Sequence, residues 1–585
     1  MEVKIKAEYS KKKGIAILSI NNDMILEKLK DILDGRKVKN KNAIECPKRA
    51  LLLLFKSPAF DYIEWEGALY QEIVALRMAM KENVSFLKMR KDSYAANAST
   101  FNYSLSNSSF APMEQQKAMY NIVHDCYVAA ILGEPGTGKT APSLWAIDQL
   151  IKEGEVKKVL YVTLSSLKEN VIKEGNKITP DLKFINLYNT SKDKNGRSRI
   201  NRIINKCFID ENKNQDYDVY VINYESLRKA VSLFSDDYFD MVILDEAHRI
   251  SNNSDQTKKI KDKFENTIRK IIMTGTLYGN DVMSFFMPFR FMGPFTLPKA
   301  NYKAFRSEIM LPVDDKGRIW KPRKHAIKKV QNIVKPFSVF FSKQEAIKEL
   351  PDIIEEDIEF EMSTEQNRVY KELKKNLITH IEREECKKCH QQKCPLKNPK
   401  NMDFSELNCN QASLVLSNAL VLSKKLLQIS KGYVVQTNKE MDENGSMIDC
   451  SETIYFKQNP ILKIISDLVY TIPKDKKIII WSVESRATEL IIEELKKNNY
   501  NIISCYGNDD AFKKTERFRK EGRILVANPA KAGVGLNLQF ATYHIAAFID
   551  YSYIKYNQML SRSHRKGLKE PLTVYRLIGN TIDRN

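Results

Sequence analysis

A glycine-rich loop between a short apolar run and a helix-like segment constrains the fold of this chain more than any other feature. Residues 127–132 are almost entirely apolar, residues 133–140 read GEPGTGKT, and a helix-like segment follows. A strand, a glycine loop and a helix in this order form a cradle for phosphate groups. The glycines let backbone N–H groups turn towards phosphate oxygens, and the helix N-terminus adds positive potential. The loop glycines are Gly133, Gly136 and Gly138.

Two polar side chains at the end of this loop complete the phosphate site. Lys139 is placed to reach the β- and γ-phosphates of a nucleotide, and the Thr140 hydroxyl is placed to bind Mg²⁺. A flexible glycine-rich turn would explain the loop if it stood alone. A second motif argues against that interpretation.

Two adjacent carboxylates follow another apolar run about a hundred residues further on. Residues 241–248 read MVILDEAH. Asp245, at the end of the predicted strand, would hold Mg²⁺ through water, and Glu246 would orient and deprotonate the attacking water. By itself this pattern also fits an exposed strand end with a helix cap. Together with the phosphate loop it predicts an NTPase, and specifically an ATPase.

Composition indicates a multidomain cytoplasmic protein with a polyanionic partner. The 585 residues are too many for one hydrophobic core, and no apolar run is long enough to cross a bilayer. Nine cysteines without a secretory signal argue against a disulfide scaffold. The net charge of +21 favours nucleic acid as a partner, although a solubilising surface would carry the same charge.

Apolar strands that alternate with helical patterns predict an α/β fold with two doubly wound parallel sheets. The first lobe spans residues 110–341 and contains the phosphate loop, and the second lobe spans residues 459–585. ATP is expected between them. The predicted strands are Val159–Thr163, Val219–Asn223, 241–244 and 270–273 in the first lobe, and Ile478–Ser482, 502–506, Ile524–Ala527, 544–549 and 573–577 in the second.

Three further segments complete the predicted organisation. Residues 1–93 form a small, basic α+β accessory domain, residues 94–109 a polar linker, and residues 342–458 a mainly helical insertion. A Cys-x-x-Cys pair in the insertion has the spacing of the first half of a zinc knuckle, and two later cysteines without that spacing would complete a structural site; the alternative is an exposed segment with reduced thiols. The candidate zinc ligands are Cys386, Cys389, Cys394 and Cys409.

A string of motifs near the C-terminus narrows the class of ATPase. Residues 532–538 read AGVGLNL, residues 558–567 read QMLSRSHRKG, and residues 572–578 read LTVYRLI. Arg562 and Arg565, three residues apart, would share a helix face, and guanidinium groups stabilise a transferring γ-phosphoryl group. With the motifs of the first lobe, this string closely resembles Swi/Snf-like ATPases, a branch of the superfamily-two (DEAH-motif) helicases and translocases, over about residues 110–585.

The resemblance implies two RecA-like lobes and roles for several further residues. It implies that Arg565 is the arginine finger with Arg562 beside it, and that Gln558 faces the nucleotide. Gln116, in the segment PMEQQK, would read adenine in preference to Gln115. Positions that would contact DNA or couple the ATP state to DNA are Thr163, Asn223, Thr274, Thr276 and Gly535.

The motifs together predict an ATP-dependent DNA translocase that uses ATP and Mg²⁺. It would move along duplex or branched DNA without sequence preference, to migrate branches, anneal strands or displace proteins. A compact phage, viral or bacterial enzyme in the bacterial or host cytoplasm is expected, with no membrane partner. A strand-separating DNA or RNA helicase is the alternative, and the intact ATPase motifs argue against a non-hydrolysing binding module. The sequence does not predict the oligomeric state.

Overall fold

The structure is a computed structural model in which two compact units, Met1–Lys348 and Glu349–Asn585, are described separately. Within the first unit the described residues are 4–10, 15–39, 41–56, 58–92, 100–104, 111–187, 217–235, 238–275, 282–314, 320–343 and 347. Within the second unit they are 350–376, 378–382, 411–415, 419–441, 447–507, 509–529, 537–548 and 553–579.

The first unit begins with a small α+β domain, as predicted for residues 1–93. Its sheet has the order β3-β4-β2-β1-β5, in which only the β1–β5 pair is parallel. Helix α1 begins where the Asn22 side chain accepts a hydrogen bond from the Ile25 N–H, and its apolar face covers the sheet. The elements are β1 Ile5–Ser10, β2 Ile15–Ile20, α1 Asp23–Leu33, β3 Arg36–Lys37, β4 Ala43–Pro47, β5 Ile63–Trp65 and α2 Leu69–Asp92.

Buried charges join this N-terminal domain to the lobe that follows it. Asp34, at the end of α1, lies 3.2 Å from the Lys261 ammonium and 3.5 Å from the guanidinium of Arg290. Arg290 is 1% exposed, and its other close partner is Glu265 at 3.1 Å. Asp34 therefore supplies a carboxylate from the N-terminal domain to a buried group of cations in the lobe.

The described part of the predicted linker also packs on the lobe. Tyr103 is buried, and its hydroxyl donates a 2.6 Å hydrogen bond to Asp148. Phe101 packs edge-to-face against Trp145. Because aromatic contacts hold residues 100–104 against the lobe, this part differs from the polar linker that the sequence predicts. The remaining residues of the predicted linker lie outside the described part of the chain.

A seven-stranded parallel sheet forms the core of the first lobe and confirms the predicted strands. Its order is β14-β6-β11-β10-β7-β9-β8, with apolar clusters on both faces. The carboxyl ends of β6, β10 and β11 are neighbours, which brings their motifs together. The elements are α3 Glu114–Asp125, β6 Val128–Gly133, α4 Thr140–Lys152, β7 Val159–Thr163, α5 Lys168–Ile178, β8 Phe184–Asn186, β9 Val219–Asn223, α6 Tyr224–Ala230, β10 Met241–Asp245, α7 Asp255–Lys263, β11 Arg269–Thr274, α8 Phe286–Met292, α9 Tyr302–Ile309, β12 Met310–Pro312, β13 Trp320–Pro322, α10 Ala326–Val334 and β14 Ser338–Phe341.

The second unit is built on a six-stranded parallel sheet of order β15-β24-β23-β20-β22-β21. Two antiparallel strand pairs, β16–β17 and β18–β19, precede its main α/β repeats. The elements are β15 Ile353–Phe360, α11 Thr364–Asn376, β16 Ile378–Glu382, β17 Gln411–Val415, α12 Ala419–Ser430, β18 Tyr433–Met441, β19 Met447–Tyr455, α13 Pro460–Thr471, β20 Ile478–Ser482, α14 Ser485–Lys497, β21 Ile502–Cys505, α15 Ala511–Lys520, β22 Ile524–Ala527, β23 Tyr543–Phe548, α16 Tyr553–Leu560 and β24 Leu572–Gly579.

The segment 342–458 differs from the predicted mainly helical insertion. Its first strand, β15, pairs with β24 along its whole length and so belongs to the sheet of the second unit. The strand reads IIEEDIEF, and Glu355, Glu356 and Asp357 are exposed at the edge of the sheet. Edge strands commonly carry charge. This strand therefore lacks the apolar run by which buried parallel strands are found in a sequence.

Candidate nucleotide-binding site

The loop after β6 has the geometry of a phosphate cradle. Gly136 and Gly138 have φ angles of 94° and 77°, which residues with a Cβ rarely adopt. A Cβ atom on Gly133 would lie 2.9 Å from the Thr137 hydroxyl oxygen, so the loop closes tightly on itself. Lys139 Nζ donates a 2.8 Å hydrogen bond to the Gly133 carbonyl. The lysine is thus held at the loop, and the strand, loop and helix fit a nucleotide phosphate chain.

The Gln116 side chain, on helix α3, stabilises this loop through hydrogen bonds. Its Nε2 donates a 3.2 Å hydrogen bond to the Gly138 carbonyl, and its Oε1 accepts a 3.0 Å hydrogen bond from the Met113 N–H. The side chain is buried, and a Cβ on Gly138 would lie only 2.6 Å from its Nε2. Both amide atoms are therefore used within the lobe, and adenine recognition by Gln116 stays a prediction.

Asp245 and Glu246 lie at the end of β10, beside the strand that carries the loop. Burial, and after it the neighbouring Glu246 carboxylate, raise the pKa of Asp245 to about 6, against the opposing effects of Lys139 and Thr163. Glu246 has a φ of 55°, the left-handed region that residues other than glycine rarely adopt. The two buried carboxylates are oxygen donors of the kind that suits Mg²⁺.

Two strand ends that were predicted to touch DNA instead hold Asp245. Thr163 Oγ1 donates a 3.1 Å hydrogen bond to Asp245 Oδ2, and the Tyr224 hydroxyl donates a 2.6 Å hydrogen bond to the Asp245 carbonyl. Both side chains are fully buried, and Asn223 is buried with its Oδ1 bonded to Ser226. The side chains of Thr163 and Asn223 are therefore not presented for contact with DNA phosphates, because their polar atoms are paired inside the lobe.

The hydrogen bond of Tyr224 to Asp245 is a feature that the sequence did not reveal. Tyr224 opens helix α6 directly after β9, and nothing in its local pattern distinguishes it from an ordinary core tyrosine. Its role is visible only because the parallel register places the end of β9 two strands from β10. A bond to the main chain of Asp245 fixes the position from which that carboxylate would hold Mg²⁺ through water.

We expect Tyr224→Phe to reduce ATP turnover about 10-fold. The change removes the hydroxyl that fixes the Asp245 carbonyl and keeps the ring, so the protein should still fold with a cost of about 1–3 kcal/mol. The measurement is DNA-stimulated ATPase rate together with thermal unfolding. Tyr220→Phe is the matched control, since Tyr220 lies on the adjoining strand β9 and the change removes a hydroxyl that is hydrogen-bonded to Tyr238. Equal turnover in the two variants would contradict the assignment.

The predicted coupling segment after β11 lies directly against the phosphate loop. Thr274 is buried, and its hydroxyl oxygen lies 3.3 Å from His248 Nδ1. The same His248 nitrogen lies 3.3 Å from a Glu246 carboxylate oxygen. A Cβ on Gly275 would lie 2.6 Å from Pro135 of the loop. One histidine therefore links the proposed water-activating carboxylate to the coupling segment.

The two predicted arginines of the second unit lie in turns and not on a helix face. Helix α16 ends at Leu560, and the chain continues through short turns in which the Arg562 N–H donates to the Met559 carbonyl at 3.2 Å. The helix-face argument is therefore wrong. Gln558 lies within the last turn of α16 and is half-buried. The segment that contains the two arginines is held in place by hydrogen bonds to residues 537–538.

Residues 537–538 hold both arginines. The Leu538 N–H donates a 2.9 Å hydrogen bond to the Arg562 carbonyl. The Arg565 guanidinium donates to the Asn537 side-chain oxygen. The main-chain oxygen of Asn537 accepts a further 3.2 Å hydrogen bond from Arg519. Both arginines thus have defined positions within the second unit.

Several predicted site residues lie outside the described residues. Within the described ranges, no group of three or more His, Cys, Asp or Glu side chains is arranged to hold a metal ion, and no helix is long and apolar enough to span a bilayer. The predicted site residues outside these ranges are Thr276, Gly535, Cys386, Cys389, Cys394 and Cys409.

Comparison with known families identifies the class of the chain. The SNF2-related domain matches residues 70–412, which is more than half of the sequence. The chain belongs to the SNF2-related family. The helicase conserved C-terminal domain matches residues 460–567. These matches confirm the resemblance and the α/β fold with two RecA-like lobes that the motifs of this SNF2-related chain predicted.

Known relatives are similar over most of the SNF2-related chain and are longer. The uncharacterized ATP-dependent helicase MG018 of Mycoplasma genitalium is 23% identical over 458 residues, which cover 77% of this chain and 38% of the relative. The human DNA repair and recombination protein RAD54B is 22% identical over 476 residues, 77% of this chain and 49% of the relative. The chain thus spans less than half the length of both.

A solved structure of the same family aligns with much of the chain. The Sulfolobus solfataricus SWI2/SNF2 ATPase core in complex with dsDNA aligns over 82% of this chain and 90% of that chain. The sequence identity is 19% and the TM-score is 0.36.

Proposed function

We propose that this SNF2-related protein is an ATP-dependent DNA translocase, which couples ATP hydrolysis to movement along DNA. The observation that carries the proposal is the set of bonds around Asp245. Thr163 and Tyr224 come from the two strand ends that resemble DNA-contacting segments, and both are bonded to this one metal-binding candidate. A shift of either strand end would move Asp245. DNA that binds at these strand ends could therefore change the geometry of the ATP site.

The proposed roles follow from the chemistry of each side chain. Backbone N–H groups of the loop and Lys139 bind the phosphates, and Thr140 and Asp245 hold Mg²⁺ directly or through water. When bound, Mg²⁺ neutralises charge on the phosphate oxygens. Glu246 orients the attacking water. Gln116 is assigned to adenine, and Gln558 is assigned to the side of the second unit that faces the nucleotide.

The arginines of the second unit are proposed to act on the γ-phosphoryl group. Charge accumulates on its oxygens during transfer, and a guanidinium group stabilises that charge. Arg565 is the proposed finger, with Arg562 beside it. Because these groups come from a different unit than the phosphate loop, hydrolysis is expected to require both units. Low turnover without DNA and high turnover with DNA then follow, provided that DNA organises the two units.

DNA is the proposed partner, in duplex or branched form and without sequence preference. The net charge of +21 supplies attraction to phosphates. RAD54B, a relative, is named for DNA repair and recombination, and a solved family member is described in complex with dsDNA. Remodelling by branch migration, strand annealing or displacement of bound protein, in the cytoplasm, fits such a motor.

ATPase assays with different nucleic acids test this proposal. Duplex, forked and single-stranded DNA and single-stranded RNA are compared at equal nucleotide concentration, with Lys139→Ala as the inactive control. We expect strong stimulation by duplex or forked DNA and little by RNA. Stimulation by RNA alone would favour the RNA helicase alternative. Turnover that no nucleic acid changes would contradict the proposal.

DNA binding is expected to weaken steeply with salt. Each neutralised phosphate of duplex DNA contributes a slope of about 0.9 to the dependence of log K on log salt concentration. A protein that contacts about six phosphates should lose roughly three orders of magnitude in affinity between about 50 and 200 mM salt. The measurement is fluorescence anisotropy on duplexes of two unrelated sequences. A flat response, or strong preference for one sequence, would count against backbone recognition.

The cysteine cluster is proposed to hold one structural zinc ion. Cys386, Cys389, Cys394 and Cys409 supply four thiolates, the number in a tetrahedral structural site. Protein purified without chelator should contain about one equivalent of zinc by elemental analysis. Replacement of Cys386 and Cys389 by serine should remove it and leave ATP binding intact. Protein without zinc would indicate reduced thiols with no metal role.

A further inference from the structure

A chain of buried hydrogen bonds runs from the sheet of the second unit to the arginine segment. Trp481 Nε1 lies 3.2 Å from His544 Nδ1, and His544 Nε2 lies 2.8 Å from the Ser563 hydroxyl oxygen. That hydroxyl lies 2.9 Å from the Leu538 carbonyl. Trp481, His544 and Ser563 are each fully buried. The chain links strands β20 and β23 to a residue between Arg562 and Arg565.

The direction of every bond in this chain is determined by chemistry. The indole of Trp481 can only donate, so Nδ1 of His544 accepts and its proton lies on Nε2. Nε2–H then donates to Ser563, whose own proton is free for the Leu538 carbonyl, which can only accept. Burial lowers the pKa of His544 to about 3, so the ring is neutral at physiological pH. One tautomer satisfies all three contacts.

The chain of hydrogen bonds ends at the two residues that contact the arginines. Leu538 accepts from the Ser563 side chain through its carbonyl and donates to the Arg562 carbonyl through its N–H. Its neighbour Asn537 receives the Arg565 guanidinium. Ser563 is therefore fixed on one side by the sheet and on the other by the dipeptide that contacts both arginines.

We propose that His544 is a positioning residue for the two arginines, acting through Ser563. The inference rests on the proposed function, since it assigns His544 to the same hydrolysis step. An apolar residue could fill this core position without any hydrogen-bond partner. A buried imidazole instead needs a partner for each of its two ring nitrogens. A buried hydrogen-bond network in which every donor and acceptor is paired holds its members in one geometry. Here the network includes Ser563, which lies in the same turn as Arg565, the proposed finger.

The test is single-turnover ATP hydrolysis and steady-state kinetics with duplex DNA for His544→Phe and Ser563→Ala. Both changes break the chain, so we expect kcat to fall about 10- to 100-fold, as small displacements of catalytic groups do. KM for ATP should change by less than about 2-fold. The matched control is Ser561→Ala, which removes a buried hydroxyl of the same turn that donates to the Gln558 carbonyl at 2.7 Å. It should keep kcat near wild type.

Combination with arginine variants separates positioning from general stability. In a chain that carries Arg562→Ala and Arg565→Ala, His544→Phe should cause no further loss of the single-turnover rate, because the groups it positions are absent. A further loss of 10-fold or more would overturn the inference. If His544→Phe does not fold, the same comparison of single-turnover rates is made with Ser563→Ala, which is the smaller change.

Failure of the inference is distinguishable from failure of the proposed function. Wild-type turnover in the arginine double variant would overturn the proposed role of the arginines, whatever His544→Phe does. Loss of turnover in that variant, with wild-type kcat in both His544→Phe and Ser563→Ala, would overturn the positioning role alone.

Discussion

Arg565→Ala should lower DNA-stimulated ATP hydrolysis about 10³-fold or more and leave nucleotide binding largely intact. The proposed finger acts on charge that develops only during phosphoryl transfer, so its removal affects the transition state more than the bound ground state. The measurements are ATPase rate at saturating duplex DNA and binding of a fluorescent ATP analogue. Glu246→Gln should also abolish turnover and still bind ATP, whereas Lys139→Ala should lose turnover through the phosphate contacts.

The control for Arg565→Ala is Lys566→Ala, which removes the adjacent, exposed cation. If only the general positive charge of this segment matters, both variants should lose a similar and modest amount of activity. If Arg565 is the finger, only its removal is severe. Wild-type-like turnover in Arg565→Ala would refute the assignment, and a severe loss in Lys566→Ala would point to DNA contact by the segment.

Removal of residues 1–109 is expected to leave the motor insoluble or inactive. Two roles are open to a basic N-terminal domain, a tethered module that selects DNA and a folded cap on the first lobe. The packing favours the cap, because Asp34 pairs with buried Lys261 and Arg290 of the lobe. Arg49 also donates a 2.9 Å hydrogen bond to the Thr267 carbonyl. Deletion would remove the Asp34 carboxylate from the buried cations Lys261 and Arg290, and it would expose apolar side chains that the domain covers.

A point variant tests the same account without removing the domain. Asp34→Asn should lower the free energy of unfolding by about 1–3 kcal/mol, because it removes one carboxylate charge beside buried cations. Asp31→Asn, an exposed change on the same helix, should have little effect. The measurements are thermal unfolding of both variants and solubility of the deletion. A soluble deletion that keeps ATPase activity but no longer discriminates duplex from forked DNA would support the tethered module.

The local structure around the proposed ATP site of the first lobe was predictable because its information is local. A loop that needs glycine at Gly136 and Gly138 carries its backbone requirement in the sequence, and buried parallel strands appear as apolar runs. Asp245 and Glu246 follow such a run directly. Each of these features depends on neighbours in the chain, and the parallel order of strands then brings them together.

The features that the sequence did not predict depend on contacts between distant segments. Tyr224 and His544 look like ordinary core residues until the sheet registers place them beside Asp245 and Ser563. Thr163 was expected at a DNA surface because its position resembles such sites, but its hydroxyl is taken by Asp245. Helical spacing of the two arginines was uninformative because the helix ends before them, at Leu560.

Displacement of a third DNA strand from a duplex tests translocation most directly. A labelled strand is bound as a triplex at one end of a long duplex, and its release is followed with ATP, without ATP, and with Glu246→Gln. The account predicts ATP-dependent release by the wild-type protein while the two duplex strands stay paired. DNA-stimulated ATPase without release, or separation of the duplex strands in place of release, would contradict it.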